Sequence, residues 1–535
     1  MVRKIVWLLA VSALLLAGCS GGSGGQGFSK RTAAGKEQVL RYPIVTSPST
    51  LDPHAVEDGD TIDLLQQVFE SLTVWGEDNQ VKPGLAESWT IENNGSTYVF
   101  KLRANAKFHN GRSVTAEDVK WSLERACNPA LASPVAGTYL SDIVGVADRL
   151  AGKSDTISGV VVRDPATVAI SLLRPIPFFP AKLTYLTAAV LPKESVPANT
   201  VMKSTTDMVG TGPYKAKSYS TDQLFVLEAN PDYYLGAPKI ARIERPIIKD
   251  AATRLLKYKN GELDLVQLER GDVSGLQSDA KFKDQLQFFD RAAIWYMGMA
   301  GNAYPPFKNR DVRRAFAMAV DREQIVKETL GGINQLANGI LPPAVTGARA
   351  QAAVLPFDPT AAKALLAKAG YPDPAKIPPI EFNYRDSRPD VRLVAENLAA
   401  QLQKNLGMKT NLRSMEWGAY LQKKDRGELQ LYHMRWGADY LDPENFLTLL
   451  LTTNGPENKM GYSNPEVDKL CAEADVMPLG PERDAKYARA EDLILQDAPW
   501  MPIYFQRDAE LIAPRVKGMR HSLFGHLPHT TVTLE

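Results

Sequence analysis

Polar and apolar side chains alternate from Thr97 to Arg103. Tyr98, Phe100 and Leu102 therefore share one face, and a strand with this period packs such a face inward. The dipeptide Asn110-Gly111, a few residues later, marks a turn. This segment is predicted to be a β-strand followed by a tight connection.

A helical pattern replaces the alternation directly after this turn. Val119, Leu123 and Ala126 are spaced so that they form one apolar stripe on a helix. Thr115 is placed to be the N-cap, and Asp118 at the third helical position completes a capping box. Both elements belong to the scaffold, and neither indicates chemistry.

Strand-like and helix-like runs alternate through the rest of the chain. Runs typical of strands lie at 224–227, 380–384 and 410–412. Runs with helical spacing lie at 309–320, 359–369, 391–405 and 483–495. Asp321, with Gln324 three positions later, predicts a further helix start. This rhythm is typical of the α/β class, and no internal repeat is visible.

The first residues have the pattern of an export signal. Arg3 and Lys4 precede an apolar run that ends at Gly18 and is shorter than the ~20 residues needed to span a bilayer. Residues 1–18 are therefore predicted to be a signal peptide. The run ends in Leu-Ala-Gly-Cys, which resembles a lipoprotein signal-peptidase site, so Cys19 is the predicted lipidation site. The alternative is an ordinary secretory signal in which Cys19 is incidental.

Residues 19–36 are predicted to be a tether. The stretch from Ser20 to Gly27 consists of Ser, Gly and one Gln, so it has no apolar side chain to bury and behaves as a flexible linker. The domain that follows is expected to move relative to the membrane that holds the lipid.

Composition limits the class of protein and of partner. The 535 residues are 44% hydrophobic, which is enough for large cores, and 62 Lys and Arg against 61 Asp and Glu leave a formal charge of +1. No long basic run interleaves with aromatic residues, so nucleic acid is not an expected partner. Besides Cys19 only Cys127 and Cys471 remain, and two buried free thiols are expected, with a disulfide as the alternative.

Several motifs together resemble a known family. They include the stretches 84–89, 98–103, 108–111 and 115–119, and later 309–322 and 361–371. They are similar to the peptide/nickel class of extracytoplasmic solute-binding proteins, family 5, which deliver solutes to ABC importers. The resemblance runs from Leu51-Asp52-Pro53-His54 to about Tyr504, and it is strongest toward oligopeptide-binding members.

This resemblance implies an architecture. The expected fold is the α/β, two-lobed periplasmic-binding-protein fold of type II, in its large three-domain variety with a hinge between the lobes. The implied divisions are lobe I at 37–69, 201–294 and 506–535, an additional domain at 70–200 beside it, and lobe II at 295–505.

The candidate binding motif runs from Trp436 to Glu444. Asp442 before Pro443 suits the start of a helix, which accounts for that carboxylate. Asp439 has no such local role, so it either accepts bonds from nearby backbone amides or is kept for a cationic group of a ligand. In peptide-binding members of the family the matching aspartate pairs with the ligand's α-ammonium, and the resemblance therefore favours the second alternative.

The same resemblance implies further ligand-binding residues. Trp436 and Gly437 would lend backbone groups, and the side chains expected to face the ligand are Glu57, Tyr139, Trp417 and Lys424. The alternatives are solvated surface charges for Glu57 and Lys424, and core positions for the two aromatic residues. His433 replaces an arginine of the oligopeptide binder, and it is either charged at mildly acidic pH or a hydrogen-bonded structural residue.

The sequence gives little support to an enzyme, and the nucleophile-elbow pattern at residues 21–25 is discarded because no strand pattern precedes it and no helix pattern follows. No HExxH, CxxC or P-loop motif is present, and the six histidines are few for a catalytic triad plus metal sites. His521, His526 and His529 are the only histidine cluster, and their loose spacing is weak evidence for a metal. No enzymatic activity, cofactor or metal is therefore predicted.

The expected function is that of a membrane-anchored lipoprotein, monomeric, in the periplasm or on the cell-envelope exterior. It would capture short peptides between two lobes and deliver them to the permease subunits of an ABC importer in the inner membrane. The alternatives are the same fold with another solute, such as a nickel chelate, glutathione, a murein peptide or an oligosaccharide, and, from another class, a secreted hydrolase.

Overall fold

Strands and helices alternate throughout the computed structural model, which describes residues 38–386 and 388–535. The predicted α/β class is confirmed. The predictions for the signal peptide, the tether and Cys19 fall outside the described residues. Within this part of the chain the strands form two four-stranded sheets, one seven-stranded sheet and three two-stranded pairs.

The first four-stranded sheet combines the beginning of the described chain with residues of its middle. Its strands, in spatial order, are Val39–Arg41, Arg242–Pro246, Leu224–Ala229 and Tyr214–Ser220. The first pair is parallel and the others are antiparallel.

The second four-stranded sheet is antiparallel and contains the strand predicted from the alternating pattern. Its order is Ala86–Glu92, Thr97–Leu102, Thr167–Ser171 and Val160–Asp164. The side chains of Tyr98, Phe100 and Leu102 are buried, as predicted.

The predicted helix follows as Ala116–Ala126, and its capping box is present. The backbone N–H of Thr115 donates to the Asp118 carboxylate at 2.9 Å. Because this carboxylate also accepts two bonds from Arg112, the helix start is tied to the loop before it.

The seven-stranded sheet is mixed and holds the two longest strands. Its order is Leu265–Gln267, Trp500–Ile512, Leu286–Met299, Leu431–Gly437, Ile380–Arg385 and Thr410–Met415, and Gln335–Leu336 also pairs with Trp500–Ile512. The long strands are antiparallel, and their register shifts between Asp290 and Ile294. This irregularity lies next to the predicted divisions at 294/295 and 505/506, which stay predictions.

The two-stranded pairs are Thr73–Trp75 with Val81–Pro83, Val516–Lys517 with Thr533–Leu534, and His521–Ser522 with Gly525–His526. The α-helices of the described residues are Gly59–Leu65, Ala116–Ala126, Ala136–Leu140, Val146–Leu150, Phe179–Lys182, Ala251–Lys259, Arg270–Ser278, Arg310–Met318, Arg322–Gln324, Pro359–Lys368, Pro389–Leu406, Trp417–Asp425, Thr448–Leu451, Pro465–Asp475 and Pro481–Asp497. The four helical runs predicted from spacing are all confirmed. Across 38–386 and 388–535, no helix has the length and apolar character needed to cross a bilayer.

The start predicted at Asp321 is confirmed, since its carboxylate accepts the Gln324 N–H at 3.0 Å. The α-helical segment is only Arg322–Gln324, and it continues as a π-helical turn over Ile325–Thr329. The predicted state of the two described cysteines is also confirmed, because Cys127 and Cys471 are both buried and free.

A close backbone approach requires glycine at the turn before Tyr214–Ser220. A Cβ on Gly210 would lie 2.0 Å from the Val68 carbonyl oxygen, and one on Gly212 would lie 2.6 Å from the Gln67 oxygen. The Gly212 N–H donates to Val68 at 2.9 Å. This contact holds the first four-stranded sheet against residues 66–70, which border the cavity described below.

Candidate functional site

A cavity of about 400 Å³ opens among the sheets, and residues from widely separated parts of the chain line it. All seven described residues that were predicted to bind ligand lie on its wall: Glu57, Tyr139, Trp417, Lys424, Trp436, Gly437 and Asp439. The fold therefore brings into one place side chains that are up to 382 positions apart in sequence, from Glu57 to Asp439. Their roles in binding stay predictions.

Asp439 follows the strand Leu431–Gly437 and is half-buried. Its carboxylate accepts hydrogen bonds from the Tyr139 hydroxyl and, at 3.4 Å, from the Asn445 side-chain amide. Within the described residues no basic side chain pairs with it, and no backbone amide donates to it. Burial raises the pKa of Asp439 to about 6, although the bonds from Tyr139 and Asn445 lower it. A carboxylate held in this way favours a cation.

Asn445 organises the tryptophan motif and was not predicted. Its fully buried Oδ1 accepts the Trp436 indole N–H at 3.2 Å and the Asp439 backbone N–H at 3.1 Å. It belongs to the 3₁₀ turn Pro443–Asn445, for which Asp442 is the predicted N-cap and accepts the Glu444 N–H at 3.0 Å. The Asp-Pro pair predicted this turn, but no local signal pointed to its contact with Asp439.

Asp442 has a second role that the sequence did not indicate. Its carboxylate accepts a bond at 2.7 Å from Arg483, and both side chains are buried. The ion pair ties the turn Pro443–Asn445, at the end of the candidate binding motif, to the helix Pro481–Asp497. The position of Asp439 therefore depends on contacts far along the chain.

Tyr139 approaches Asp439 from the short helix Ala136–Leu140. The ring is buried and stacks on Tyr185, with ring centroids 4.0 Å apart. Burial, followed by the charge of Asp439, raises the pKa of Tyr139 well above its usual value, so the phenol stays a neutral donor. A cation entering here would share the Asp439 carboxylate with this hydroxyl.

Lys424 and Glu57 lie on the same wall. Lys424 donates to Glu457 at 3.1 Å, and both of these side chains are only 14% exposed, so Lys424 is not a solvated surface charge. Burial lowers the pKa of Lys424, but the charges of Glu457 and Asp425 outweigh it and the net shift is upward. Burial raises the pKa of Glu57 to about 6.

Another part of the wall is rich in arginine, which sequence analysis missed. The guanidinium of Arg385 lies 4.1 Å from the centre of the Trp417 ring. Arg385 and Arg388 both approach Asp60, at 4.0 and 3.5 Å. Arg435 donates to Gln506 at 2.6 Å.

We call Arg385, Arg388 and Arg435 the cationic wall, and the acidic side chains of Asp60 and Asp508 also lie near it. Burial, followed by repulsion from Arg291, lowers the pKa of Arg435 to about 10. Burial, followed by repulsion from Arg388, lowers the pKa of Arg385 to about 10 as well. Both groups remain charged at neutral pH, so this wall favours an anion.

Gly437 leaves room for the Arg435 guanidinium, since a Cβ on Gly437 would lie 2.9 Å from it. His433 also borders the cavity, and its buried ring packs against Trp295 and Tyr504. Burial lowers the pKa of His433 to about 3. An imidazole that stays neutral at mildly acidic pH favours the structural alternative for His433 over the charged one.

Relatives of the chain are binding proteins by name. It is 30% identical over 532 residues to the probable deoxycholate-binding periplasmic protein YgiS of Escherichia coli, with 96% of each chain covered. It is 30% identical to heme-binding protein A of Haemophilus influenzae, over 98% of this chain and 97% of the other. The periplasmic oligopeptide-binding protein OppA of Escherichia coli is 29% identical, over 91% of this chain and 90% of the other.

Solved structures superpose on nearly the whole chain. The Escherichia coli murein tripeptide-binding protein MppA matches with a TM-score of 0.85 and 26% identity, over 94% of this chain and 99% of the other. OppA of Haemophilus influenzae, in complex with RPPGFSPFR, matches with a TM-score of 0.83 and 25% identity, again over 94% of this chain and 99% of the other. The unliganded open form of MppA matches less well, with a TM-score of 0.68 and 25% identity over 94% of this chain and 98% of the other.

The fold and the cavity define a solute-binding protein with the α/β architecture of periplasmic binding proteins of type II, which confirms the fold predicted from the resemblance. The sequence model of the bacterial extracellular solute-binding proteins, family 5 Middle, matches residues 80–458. The chain belongs to this family.

Proposed function

We propose that the chain captures short peptides with a free N-terminus and that Asp439 binds their α-ammonium group. One observation carries the proposal: a carboxylate without a basic partner among the described residues lies on the wall of the large cavity. A charge-assisted bond to the ammonium would set the register of the peptide, while backbone hydrogen bonds add affinity without reading side chains. The family membership and the names OppA and MppA among similar proteins support this choice.

The cationic wall suits the other end of such a ligand. Arg385, Arg388 and Arg435 would attract a carboxylate, so the cavity offers an anionic group and a cationic one to a single zwitterion. Trp417, whose ring the Arg385 guanidinium covers, would add apolar contact beside the charge. Water filling the remaining space would let side chains of different size fit.

The proposed role is transport without chemistry. The chain would be held to the membrane through Cys19, in the periplasm or on the envelope exterior, close around the peptide and deliver it to an ABC permease. Closure by hinge motion between the predicted lobes, 37–69 with 201–294 and 506–535 on one side and 295–505 on the other, requires only that the ligand bind the closed form better. The relatives named above are all binding proteins, which supports the absence of enzymatic activity.

A second candidate is an apolar carboxylate solute. Two of the relatives are named for deoxycholate and for heme, and the cavity wall here combines the arginines with Trp75, Trp295 and Phe524. Such a solute would use the cationic wall and leave Asp439 without a partner. The two candidates therefore differ in their dependence on Asp439.

Calorimetric titration with tripeptides tests the proposal. Asp439→Asn keeps the acceptor for Tyr139 but removes the charge, and we expect a loss of about 2–5 kcal/mol in binding free energy. N-acetylation of the peptide should cost a similar amount, and the two changes together should cost little more than either alone. Asp155→Asn, at a fully exposed position, serves as the control.

Unchanged peptide affinity after both alterations would refute the role of Asp439 while leaving the family unaffected. Deoxycholate or hemin that binds tightly and equally to the wild type and to Asp439→Asn would favour the second candidate. Mass spectrometry of small molecules released by denaturing the purified protein would identify the native solute directly.

A further inference from the structure

A histidine pair and a carboxylate meet where the C-terminal hairpin lies against a long strand. His521 and His526 are opposite each other in the two-stranded pair His521–Ser522 with Gly525–His526. Glu510, from the strand Trp500–Ile512, points its Oε2 at both rings. The distances to this oxygen are 3.0 Å from His526 Nε2 and 3.5 Å from His521 Nε2.

Neighbouring side chains hold these rings in place. His521 stacks on Phe289, with centroids 3.7 Å apart and an interplanar angle of 10°. The rings of His521 and His526 meet edge to face at 4.5 Å. The Asp63 carboxylate lies 3.9 Å from His526 Nδ1, the ring nitrogen that does not face Glu510. This distance is too long for a hydrogen bond, and Asp63 pairs with Arg245 at 2.9 Å, so this carboxylate adds negative charge beside the ring without holding it.

The group is placed beside the large cavity. Glu510 and His526 both line its wall, together with Asp63. A metal ion held here would therefore have protein ligands on one side and an open side facing the cavity. An open coordination position allows water or a solute group to bind the ion.

The ligand atoms of Glu510, His521 and His526 all lie within 4.8 Å of one another. Zn²⁺ binds imidazole nitrogen and carboxylate oxygen at roughly 2.0–2.2 Å, so small rotations would bring all three onto one ion. Imidazole ligands suit Zn²⁺, Ni²⁺ and Cu²⁺ rather than Mg²⁺ or Ca²⁺. We propose that Glu510, His521 and His526 form a binding site for a divalent transition-metal ion of the Zn²⁺ or Ni²⁺ type.

A metal-free ion pair explains less of this geometry. A hydrogen bond from His526 to Glu510 accounts for one imidazole, but at 3.5 Å from the same oxygen the buried His521 Nε2 has no good hydrogen-bond partner among the described residues. His529, the third histidine of this region, is arranged differently. Its Nε2 lies 2.6 Å from the Tyr42 hydroxyl, and it is not part of the ligand group.

The test uses the full chain without a polyhistidine tag, stripped of metal with EDTA and free of peptide. Calorimetric titration with Zn²⁺ and Ni²⁺ should show one equivalent bound, and Mg²⁺ should give no heat of binding. His521→Gln and His526→Gln should each weaken Zn²⁺ binding by at least about tenfold, since even loss of an outer support costs that much. His529→Gln is the matched control and should bind Zn²⁺ as the wild type does.

Further measurements separate loss of the metal site from misfolding of a variant. Far-ultraviolet circular dichroism checks each variant, and Zn²⁺ should raise the melting temperature of the wild type but not of His526→Gln. Visible absorption of the Co²⁺-loaded wild type should report nitrogen and oxygen ligands. Absence of Zn²⁺ and Ni²⁺ binding to the wild type would overturn the proposal, and so would binding that survives unchanged in folded His521→Gln and His526→Gln.

Discussion

Asp439 owes its chemistry to burial rather than to its neighbours in sequence. Taken alone, an aspartate between Ala438 and Tyr440 would be ionised well below neutral pH. Removal from water raises its pKa to about 6, and the bonds from Tyr139 and Asn445 offset only part of that shift. The site therefore holds a carboxylate whose charge is costly until a cation arrives.

This shift predicts how peptide affinity depends on pH. Above the pKa of about 6 the Asp439 carboxylate is ionised and can pair with an ammonium, and below it the group is neutral. Since apparent affinity scales with the competent fraction, binding should weaken about tenfold between about pH 7 and about pH 5. Calorimetric titration of one tripeptide across this range checks the expectation.

Asp439→Asn provides the comparison for this pH series. The affinity of this variant for the tripeptide should be lower than that of the wild type at every pH in the series, and it should vary less with pH. Glu57, whose pKa is also about 6, lies on the same wall and would leave some dependence in the variant. A wild-type affinity that stays constant as the pH falls would contradict the assignment of Asp439 as the group that titrates.

At the scale of elements, a buried ion pair joins the loop at residues 51–54 to the helix Ala116–Ala126. Asp52 accepts bonds at 2.5 and 3.0 Å from Arg125 in the last turn of the helix, and both side chains are buried. Arg125 also lies 2.9 Å from His54 Nδ1. Burial alone would raise the pKa of Asp52, but the bonds from Arg125 outweigh it and the pKa is lowered.

Breaking this pair should destabilise the fold. Asp52→Asn leaves the Arg125 charge buried with a weaker partner, and the free energy of unfolding should fall by about 3–5 kcal/mol. Urea unfolding followed by circular dichroism measures this loss. In the wild type, Asp52 should stabilise the folded state from neutral pH down to mildly acidic pH. This stabilisation should be lost only as the pH falls through the lowered pKa of Asp52.

An exposed ion pair gives the matched comparison. The Asp155 side chain is fully exposed and lies 3.6 Å from Arg149, so Asp155→Asn should change the free energy of unfolding by less than about 0.5 kcal/mol. Equal effects of the two substitutions would contradict the structural role given to Asp52.

At the scale of the molecule, contacts between distant segments form the wall of the cavity. The Tyr139–Asp439 hydrogen bond joins residues 300 positions apart across the cavity wall. The chain superposes on the unliganded open form of MppA with a TM-score of 0.68, whereas another structure of MppA gives 0.85. We propose that the arrangement described here corresponds to the closed form.

Ligand should therefore shift the molecule toward compact states. Small-angle X-ray scattering should show a smaller radius of gyration when a saturating tripeptide is added, because a ligand enclosed by the closed form favours it. Asp439→Asn at the same peptide concentration should compact less, since it binds more weakly. Scattering that is identical with and without peptide, at concentrations where calorimetry shows binding, would contradict hinge closure.

The sequence by itself determined the local elements. The strand through Tyr98 and Phe100, the cap at Thr115 and the turn at Asp442 depend on residues a few positions apart, so periodicity and capping chemistry suffice to predict them. The α/β class followed from the order of such elements, and the two-lobed fold from family resemblance. The same resemblance placed Asp439 and six other residues that the structure finds on one cavity wall.

Only the tertiary structure decided the chemistry of that wall. The cationic wall and the ion pair between Arg483 and Asp442 depend on contacts between distant segments. The approach of Asn445 to Asp439, and of His521 and His526 to Glu510, depends on how the chain between them folds. No pattern within a window of sequence encodes them, because packing of whole elements sets such distances. Burial has the same origin, and it changes the pKa values of Asp439 and Arg435 in ways that local sequence does not reveal.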